Sequence, residues 1–538
     1  MAGAEFDYVV VGGGSAGSVI ASRLSEDPSV SVCLLEAGGE GKGLLTRIPA
    51  AVIAVAPNGP KFGNWAFETV PQPGLNGRKG YQPRGKQLGG SSAINAMLYI
   101  RGHPSDYDDW ANLGCDGWSW NDVLPYFKKA EGNQRGSDNL HNSHGPLQVG
   151  DQQRPRPIAN AFIDAAEQMQ IRRNEDFNGP EQEGVGLYQV TQFWEGSRKG
   201  ERCSAAAAYL HAQMGRPNLS IITNAHAARV VLDGKRATGV VYIQKGREHT
   251  VSAKREIVLS GGAFNSPQIL QLSGIGAADD LASHGIEIKH ELPGVGLNLQ
   301  DHINFTSINR SAQTNMFGIG WVATVDLIRA IWDWKREGSG HLTSPYAEGG
   351  AFVKSDPSLD RPDLQFHFVV GMVDNHARDL RLGYGYTCYV CVLRPHSRGT
   401  VTLKDANPLS APKIDPQFLS DERDAELLLK GVKIMRGILD APPLKKFRKK
   451  ELYSNQDTSD AELMQHIRNR ADTVYHPVGT CKMGTDDMAV VDPRLRVRGI
   501  DGLRVADASI MPTLIGGNTN APCIMIGEKC ADLMKSAA

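Results

Sequence analysis

Apolar positions first organise near the amino terminus. Residues 6–11 form a short apolar run, residues 18–24 place apolar side chains at helical spacing, and residues 32–35 form a second apolar run. Between the first run and the helix stand Gly12-Gly-Gly-Ser-Ala-Gly17, so the pattern predicts strand, glycine turn, helix, strand. Residues 219–223, 228–232, 238–244 and 256–260 then read as short strands divided by Asp-Gly and Lys-Gly turns. Gly261-Gly-Ala-Phe-Asn-Ser-Pro267 follows the last of them and opens an apolar helix, as a phosphate-side turn would. Residues 421–439 read as a charged helix. In 316–336, Trp321, Val325, Ile328 and Trp332 recur at steps of four, three and four. That stripe belongs either to a packed helix or to a surface for lipid or a long apolar substrate; with only Arg329, Lys335 and Arg336 basic there, recognition of anionic lipid is weakly supported.

Two glycine-containing stretches interrupt the periodic pattern. Residues 49–76, rich in Pro, Gly and Asn, predict a long loop lying over a ligand, and Gly85-Lys-Gln-Leu-Gly-Gly-Ser-Ser92 suits backbone contact with a large cofactor. The 538 residues suggest two to four units, and 41% hydrophobic content supplies an ample core. With 58 Lys+Arg against 59 Asp+Glu, the net charge of -1 gives no general attraction for nucleic acid. Residues 1–8 carry neither Lys nor Arg and no long apolar run, so no leader and a cytoplasmic location are expected; lacking a spanning segment, any membrane contact would be peripheral, on the inner face. The 8 Cys are scattered, as reduced thiols would be. Cys388 and Cys391 form a CxxC inside a predicted strand, where residues three apart point to opposite faces, so neither a shared metal nor a disulfide is expected. His141 and His144 read as surface side chains without companion ligands, and no metal is expected.

The first glycine turn has specific physical uses. Gly12 permits a tight turn, Gly14 lets backbone approach a pyrophosphate, Gly17 permits close helix packing, and the helix amino terminus favours negative charge. Glu36 ends the second strand 19 residues after Gly17, where a carboxylate can hold a ribose hydroxyl.

Taken together, these blocks resemble the glucose-methanol-choline oxidoreductases, FAD enzymes that oxidise alcohols, and the resemblance runs from Asp7 to Leu533. The glycine turn with Glu36 resembles the family's FAD fingerprint, residues 85–95 its first signature, and residues 262–276 its second. Tyr475-His-Pro-Val-Gly-Thr480, residues 505–512 and Gly517-Asn-Thr-Asn520 resemble the block that holds the catalytic pair. Within the family the chain is most similar to acceptor-linked dehydrogenases of choline, medium-chain alcohols and polyethylene glycol. The implied fold is α/β (α+β mixed): a Rossmann-like FAD-binding domain (1–155, 195–305 and 470–538) with a discontinuous substrate-binding domain of sheet and helices (156–194 and 306–469). By the same resemblance Gly12, Gly14, Ser15, Gly17, Glu36 and Ala227 should contact the ADP part of FAD. Gly89, Gly90, Asn95 and Met97 should follow the pyrophosphate and ring, with Tyr475, Asp507, Ala508 and Asn520 completing the flavin site. Some members link FAD through a histidine of the first signature; the matching position here is Ile94, so dissociable FAD is expected.

Oxidising an alcohol needs a base at the hydroxyl while the carbon faces the hydride acceptor. His476 is the expected base, and Asn520 the expected partner that hydrogen-bonds the alcohol oxygen. Glu348 and His367 are candidates to reach the substrate. Trp321, Trp332, Phe352, Phe366 and Phe368 suggest an apolar route, or serve as core residues. The expected reaction is oxidation of primary alcohols to aldehydes, with electrons passed to a quinone or other acceptor. An oxidase returning them to O2 is the main alternative, and a lyase on the same fold a more distant one.

Overall fold

The structure, a computed structural model, describes residues 4–454 and 457–536; residues 1–3 of the segment read for a leader lie outside it. Its first layer grows from β1 (Ala4–Val11), α1 (Ser15–Leu24) and β2 (Val32–Leu35). The last four residues of β1 and all of β2 are buried, because a parallel strand between helical layers has both faces covered. β3 (Leu219–Ile222) extends the sheet beside β2. β4 (His226–Asp233), β5 (Arg236–Gln244) and β6 (Arg247–Leu259) complete the order β4-β5-β6-β1-β2-β3. The strand expected at 256–260 is only the second half of β6. Its first half folds back on β5 across Lys245-Gly246, both with positive φ (52° and 73°), as a two-residue hairpin requires. Exposed Arg247, Glu248 and Lys254 mask that half in the hydrophobic pattern. α2 (Gly262–Leu272) follows β6 across the third glycine turn.

A second, antiparallel sheet contains β7 (Ile303–Ser311), β8 (Ala347–Val353), β9 (Leu364–Val369) and β10 (Gly383–Val392), ordered β7-β10-β9-β8, with Gly184–Leu187 beyond β8. Between β7 and β8 runs α3 (Trp321–Glu337). α4 (Glu422–Asp440) covers β10; the Asp421 carboxylate accepts the Arg423 amide, which sets the helix start. Close approach explains Gly431, where a Cβ would come within 2.8 Å of Val390. β11 (Leu503–Val505) then returns to the first sheet, parallel to β6, and α5 (Asn520–Lys535) packs against α1. Gly527 permits that packing, since its Cβ would lie 2.8 Å from the Ala16 carbonyl. The chain is thus a mixed α/β protein with two large sheets among the described residues, each discontinuous in sequence. Asp472–Thr473 pairs with β7, so the second sheet draws one short strand from the range expected to be FAD-binding.

Cys388 and Cys391 are buried in β10 within different apolar clusters, and all eight cysteines are free. Among the described residues no helix is long and apolar enough to cross a membrane. α3 departs from the packed-helix reading. Ala330 and Trp334 face inward, whereas Trp321 is 83% and Trp332 63% exposed, so the apolar stripe points away from the protein.

His141 is not a surface residue. Its ring is buried between Glu131 and Asp176, beside the fully buried Arg101–Glu131 ion pair; only His144 is exposed. Burial opposes its charge, but hydrogen bonds to Asp176 and Glu131 prevail and raise its pKa from 6.5 to about 9. A raised folded-state pKa contributes stability that is complete below 6.5 and is lost as pH rises through about 9. Thermal melts across that window are expected to show a falling midpoint, with a shallower fall in His141→Gln; equal slopes would remove His141 as the cause.

Candidate functional site

Three glycine turns converge where the first sheet ends. At the first, Gly12 has a φ of 97°; a Cβ there would meet the Ser260 carbonyl at 2.5 Å, and a Cβ on Gly17 would meet the Gly12 carbonyl at 1.9 Å. A Cβ on Gly14 finds only Ser260 O, at 3.8 Å. Gly12 and Gly17 therefore close the turn, while Gly14 presents open backbone to the cavity. At the second turn the Gly89 amide donates to Gly13 O (2.7 Å), and a Cβ on Gly90 would lie 2.7 Å from Gly14 Cα. At the third, Asp507 accepts from the Gly262 amide (2.8 Å) and Ser266 Oγ (2.6 Å). Glu36 accepts from the amides of Gly13 (2.9 Å) and Gly38 (2.7 Å), with its pKa raised by burial.

These turns wall one continuous cavity. Gly12, Gly14, Ser15, Glu36 and Ala227 line its nucleotide-like end; Gly90, Asn95, Met97, Asp507, Ala508 and Asn520 line its middle; Tyr475, His476 and His367 line the far end. Open backbone at Gly14, the α1 amino terminus at Ser15 and the carboxylate of Glu36 fit the phosphates and ribose of a dinucleotide. Gly17 and Gly89 shape the turns without lining the cavity. Residues 49–76 fold into short helical turns instead of an open loop, and Val52, Ile53, Trp65 and Phe67 still wall the cavity.

At the far end, buried polar groups form a ladder. The His302 Nε2 lies 3.0 Å from Leu393 O, which can only accept, so that nitrogen carries hydrogen. The other ring nitrogen, Nδ1, is then an acceptor and lies 2.9 Å from His476 Nδ1. His476 must donate from Nδ1, which leaves the lone pair on Nε2. Asn518 Nδ2 donates to that Nε2 (3.2 Å), and Asn518 Oδ1 accepts from Gln365 Nε2 (3.0 Å). Burial first, then His302, His367 and Arg84, push the His476 pKa well down, and burial takes His302 to about 3. Both rings are therefore neutral at neutral pH. The His476 backbone is aimed by Tyr475, whose φ is 74°, and held by Asp301, which accepts the His476 amide (2.8 Å).

The pair expected from the sequence, His476 with Asn520, is not the pair that meets. Asn520 begins α5 and accepts from Ser15 Oγ (2.8 Å), tying that helix to the first glycine turn; Asn518, two residues earlier, faces His476. Glu348 is turned away from the cavity. Its carboxylate accepts the Arg156 amide (2.5 Å) and Ser344 Oγ (2.8 Å), and burial raises its pKa to about 7. His367 does face the cavity; neither ring nitrogen has a hydrogen-bond partner, although the Asn518 amide lies beside it, and burial lowers its pKa to about 4. Phe352, Phe366 and Phe368 are fully buried core and Trp321 and Trp332 are outside, so none of the five forms the suggested apolar route. His302 and Gln365 were invisible to motif reading because they act through His476 and Asn518.

Two family models, both described as GMC oxidoreductase, match residues 6–304 and 395–527. An alcohol dehydrogenase (acceptor) of Pseudomonas putida is 48% identical over 98% of this chain and 95% of its own length. The mitochondrial choline dehydrogenase of Homo sapiens is 42% identical over 99% of this chain and 90% of its own. Among solved structures, pyridoxine 4-oxidase from Mesorbium loti superposes with a TM-score of 0.87 at 33% identity, covering 98% of both chains.

The glycine geometry separates cofactor contact from fold. Gly14→Val, with room inside the protein but a side chain in the cradle, is expected to melt like cofactor-free wild type and purify without bound dinucleotide. Gly17→Ala is expected to lower the melting midpoint itself. Retention of cofactor by Gly14→Val, read from the absorbance of the purified protein, would contradict the cradle.

Proposed function

The chain belongs to the GMC oxidoreductase family, and on that premise we propose that it oxidises uncharged primary alcohols to aldehydes, with His476 as general base and electrons passed to a non-oxygen acceptor such as a quinone. The observation that carries the reading is the Nε2 lone pair of His476, held towards the cavity and faced by the Asn518 amide. FAD, the cofactor the family implies, would lie along Gly14, Glu36, Ala227, Gly90, Asn95 and Asp507, and when bound supplies the acceptor for a hydride. Ile94 lines the cavity where covalent members carry histidine, so the cofactor is held without a bond. Acid precipitation should leave the yellow colour in solution; colour in the pellet would refute this.

The residues then divide the work. The alcohol hydroxyl displaces the Asn518 amide from His476 Nε2 and gives its proton to that nitrogen, and the His476 Nδ1–H bond to His302 strengthens as the ring becomes cationic. Asn518 has two amide hydrogens. One is on His476 until the alcohol takes its place, and the displaced amide then binds the alcohol oxygen as negative charge develops there, the role expected of Asn520. His367, unpartnered at the cavity wall, offers a further polar contact to substrate.

Substrate charge follows from what is absent at this end. The carboxylates among the described lining residues are Glu36 and Asp507, both engaged by amides of glycine turns, while Glu348 is anchored elsewhere. Val369, Val373, Tyr346 and Tyr389 line the wall instead. A neutral aliphatic, aromatic or polyether alcohol suits that wall better than a quaternary ammonium, which would gain from a facing carboxylate.

His476→Ala is expected to lower alcohol turnover on the order of 10²–10⁴-fold with FAD retained, and Asn518→Ala roughly 10²-fold. Asn520→Ala is expected to cost less than Asn518→Ala; the reverse order would return the role to Asn520. His302→Phe is expected to lower kcat/KM roughly tenfold, and His302→Gln, which restores an acceptor, to recover part of that loss. Anaerobic reduction by alcohol followed by mixing with quinone or O2 tests the acceptor: rapid recovery by O2, with peroxide matching aldehyde, would make the protein an oxidase.

A further inference from the structure

α3 inverts the usual arrangement of a surface helix, in which the apolar stripe faces the core. Its inward face carries Ala330 and Trp334, the latter donating Nε1–H to Gly200 O (2.9 Å). Asp333 lies on the protein side near Arg154, and Asp326 adds to the field at Arg156 and His341. The outward face carries Trp321 (83% exposed), Ile328 (64%) and Trp332 (63%). Helical spacing puts Arg329 and Arg336 along one flank of this stripe and Lys335 along the other. All three are exposed, and among the described residues none makes an ion pair, so acids are drawn inward and free cations ring the apolar face.

The patch continues beyond the helix. The short strand Gly318–Ile319 leads into α3 and pairs with Tyr384 and Gly383, which sets Ile319 (41% exposed) next to Leu382 (70%), with Leu380 (77%) nearby on the same loop. That loop also supplies His376 and Ala377 to the cavity wall. Asn375, His376 and Ala377 all have positive φ, an uncommon run for residues other than glycine, held by His376 bonding to Tyr475 OH (2.6 Å) and Asp472 (3.1 Å).

We propose that this face docks on a lipid bilayer, with Trp321, Ile328, Trp332, Leu380 and Leu382 entering the interfacial zone and Arg329, Lys335 and Arg336 meeting anionic headgroups. Two exposed tryptophans with aliphatic neighbours and a cationic border are the chemistry of a helix lying in the membrane plane. A second copy would bring three like-charged side chains against three. Docking would place the loop that walls the cavity at the membrane surface, which, on the proposed reading, is where a quinone acceptor would be met.

The test uses the holoenzyme and vesicles of phosphatidylcholine with or without phosphatidylglycerol, and it reads binding without turnover, so its failure leaves the alcohol chemistry standing. Wild type is expected to co-sediment with the mixed vesicles and to shift its tryptophan emission to the blue. The triple variant Trp321→Ala, Ile328→Ser, Trp332→Ala should bind at least about tenfold more weakly, with an unchanged melting midpoint as the fold control. Arg329→Glu, Lys335→Glu, Arg336→Glu should weaken binding only where phosphatidylglycerol is present. Absence of wild-type binding, equal binding by the apolar variant, or a charge variant indifferent to phosphatidylglycerol would overturn the proposal. Concentration-dependent dimerisation abolished by the apolar variant, without vesicle binding, would also overturn it and assign the face to a second copy.

Discussion

Backbone meeting backbone at Gly14 is the contact on which the site depends. Gly90 comes so close that a Cβ would stand 2.7 Å from Gly14 Cα, and the Gly89 amide donates to Gly13 O. Side chains would hold these turns apart. Their absence brings the end of β1, the turn before α2 and the Gly89-Gly90 turn around one cavity, and Asn520 joins the carboxyl-terminal helix to it through Ser15. Residues separated by hundreds of positions thereby share one wall. The open side of Gly14 is left as the surface against which a pyrophosphate can lie.

The reactive end is built from the other sheet. His302 immediately precedes β7, Leu393 immediately follows β10, and Gln365 and His367 lie on β9. One carbonyl, at Leu393, decides the tautomer of His302, and His302 in turn decides which nitrogen of His476 keeps its lone pair. An imidazole in the other tautomer would direct an N–H at the alcohol oxygen and could not take its proton. The direction of the proposed base is therefore a property of the second sheet, although His476 itself belongs to a segment that returns towards the first.

The parts legible in the sequence were those where one residue type is physically necessary. A left-handed turn or a backbone contact needs glycine, so Gly12, Gly14 and Gly17 could be assigned a task before any coordinates, and the turn order placed the first strands correctly. Asn518 and Asn520 could not be told apart in this way. Both are amides at the start of one helix, and which faces His476 depends on how α5 enters, a matter of tertiary packing. Glu348 misled for a related reason: it lies on β8 next to Ala347, which does line the cavity, but alternation along a strand sends neighbouring side chains to opposite faces. The first half of β6 escaped because its charged side chains belong to an exposed hairpin, whose order comes from the turn and the partner strand and not from burial.

α3 shows the same distinction from the other direction. Helical periodicity correctly located its apolar stripe but carries no sign: it reports that one face differs from the other, not which face meets the core. The sign is set by small features that the period does not contain. Ala330 lets the helix approach the protein, Trp334 finds a carbonyl acceptor at Gly200, and the backbone at Gly338 lies against Lys199 so closely that a Cβ would meet Lys199 O at 2.1 Å. With the helix held by that face, its larger apolar side chains have nowhere to go but outward. Leaving Trp321 and Trp332 in water is unfavourable for a chain that remains alone in solution, and local rules of burial fail mainly where a surface has a second task. The buried ladder is the opposite case: its polar groups find their partners within the protein, and its order comes from hydrogen bonds that only one set of tautomers can make.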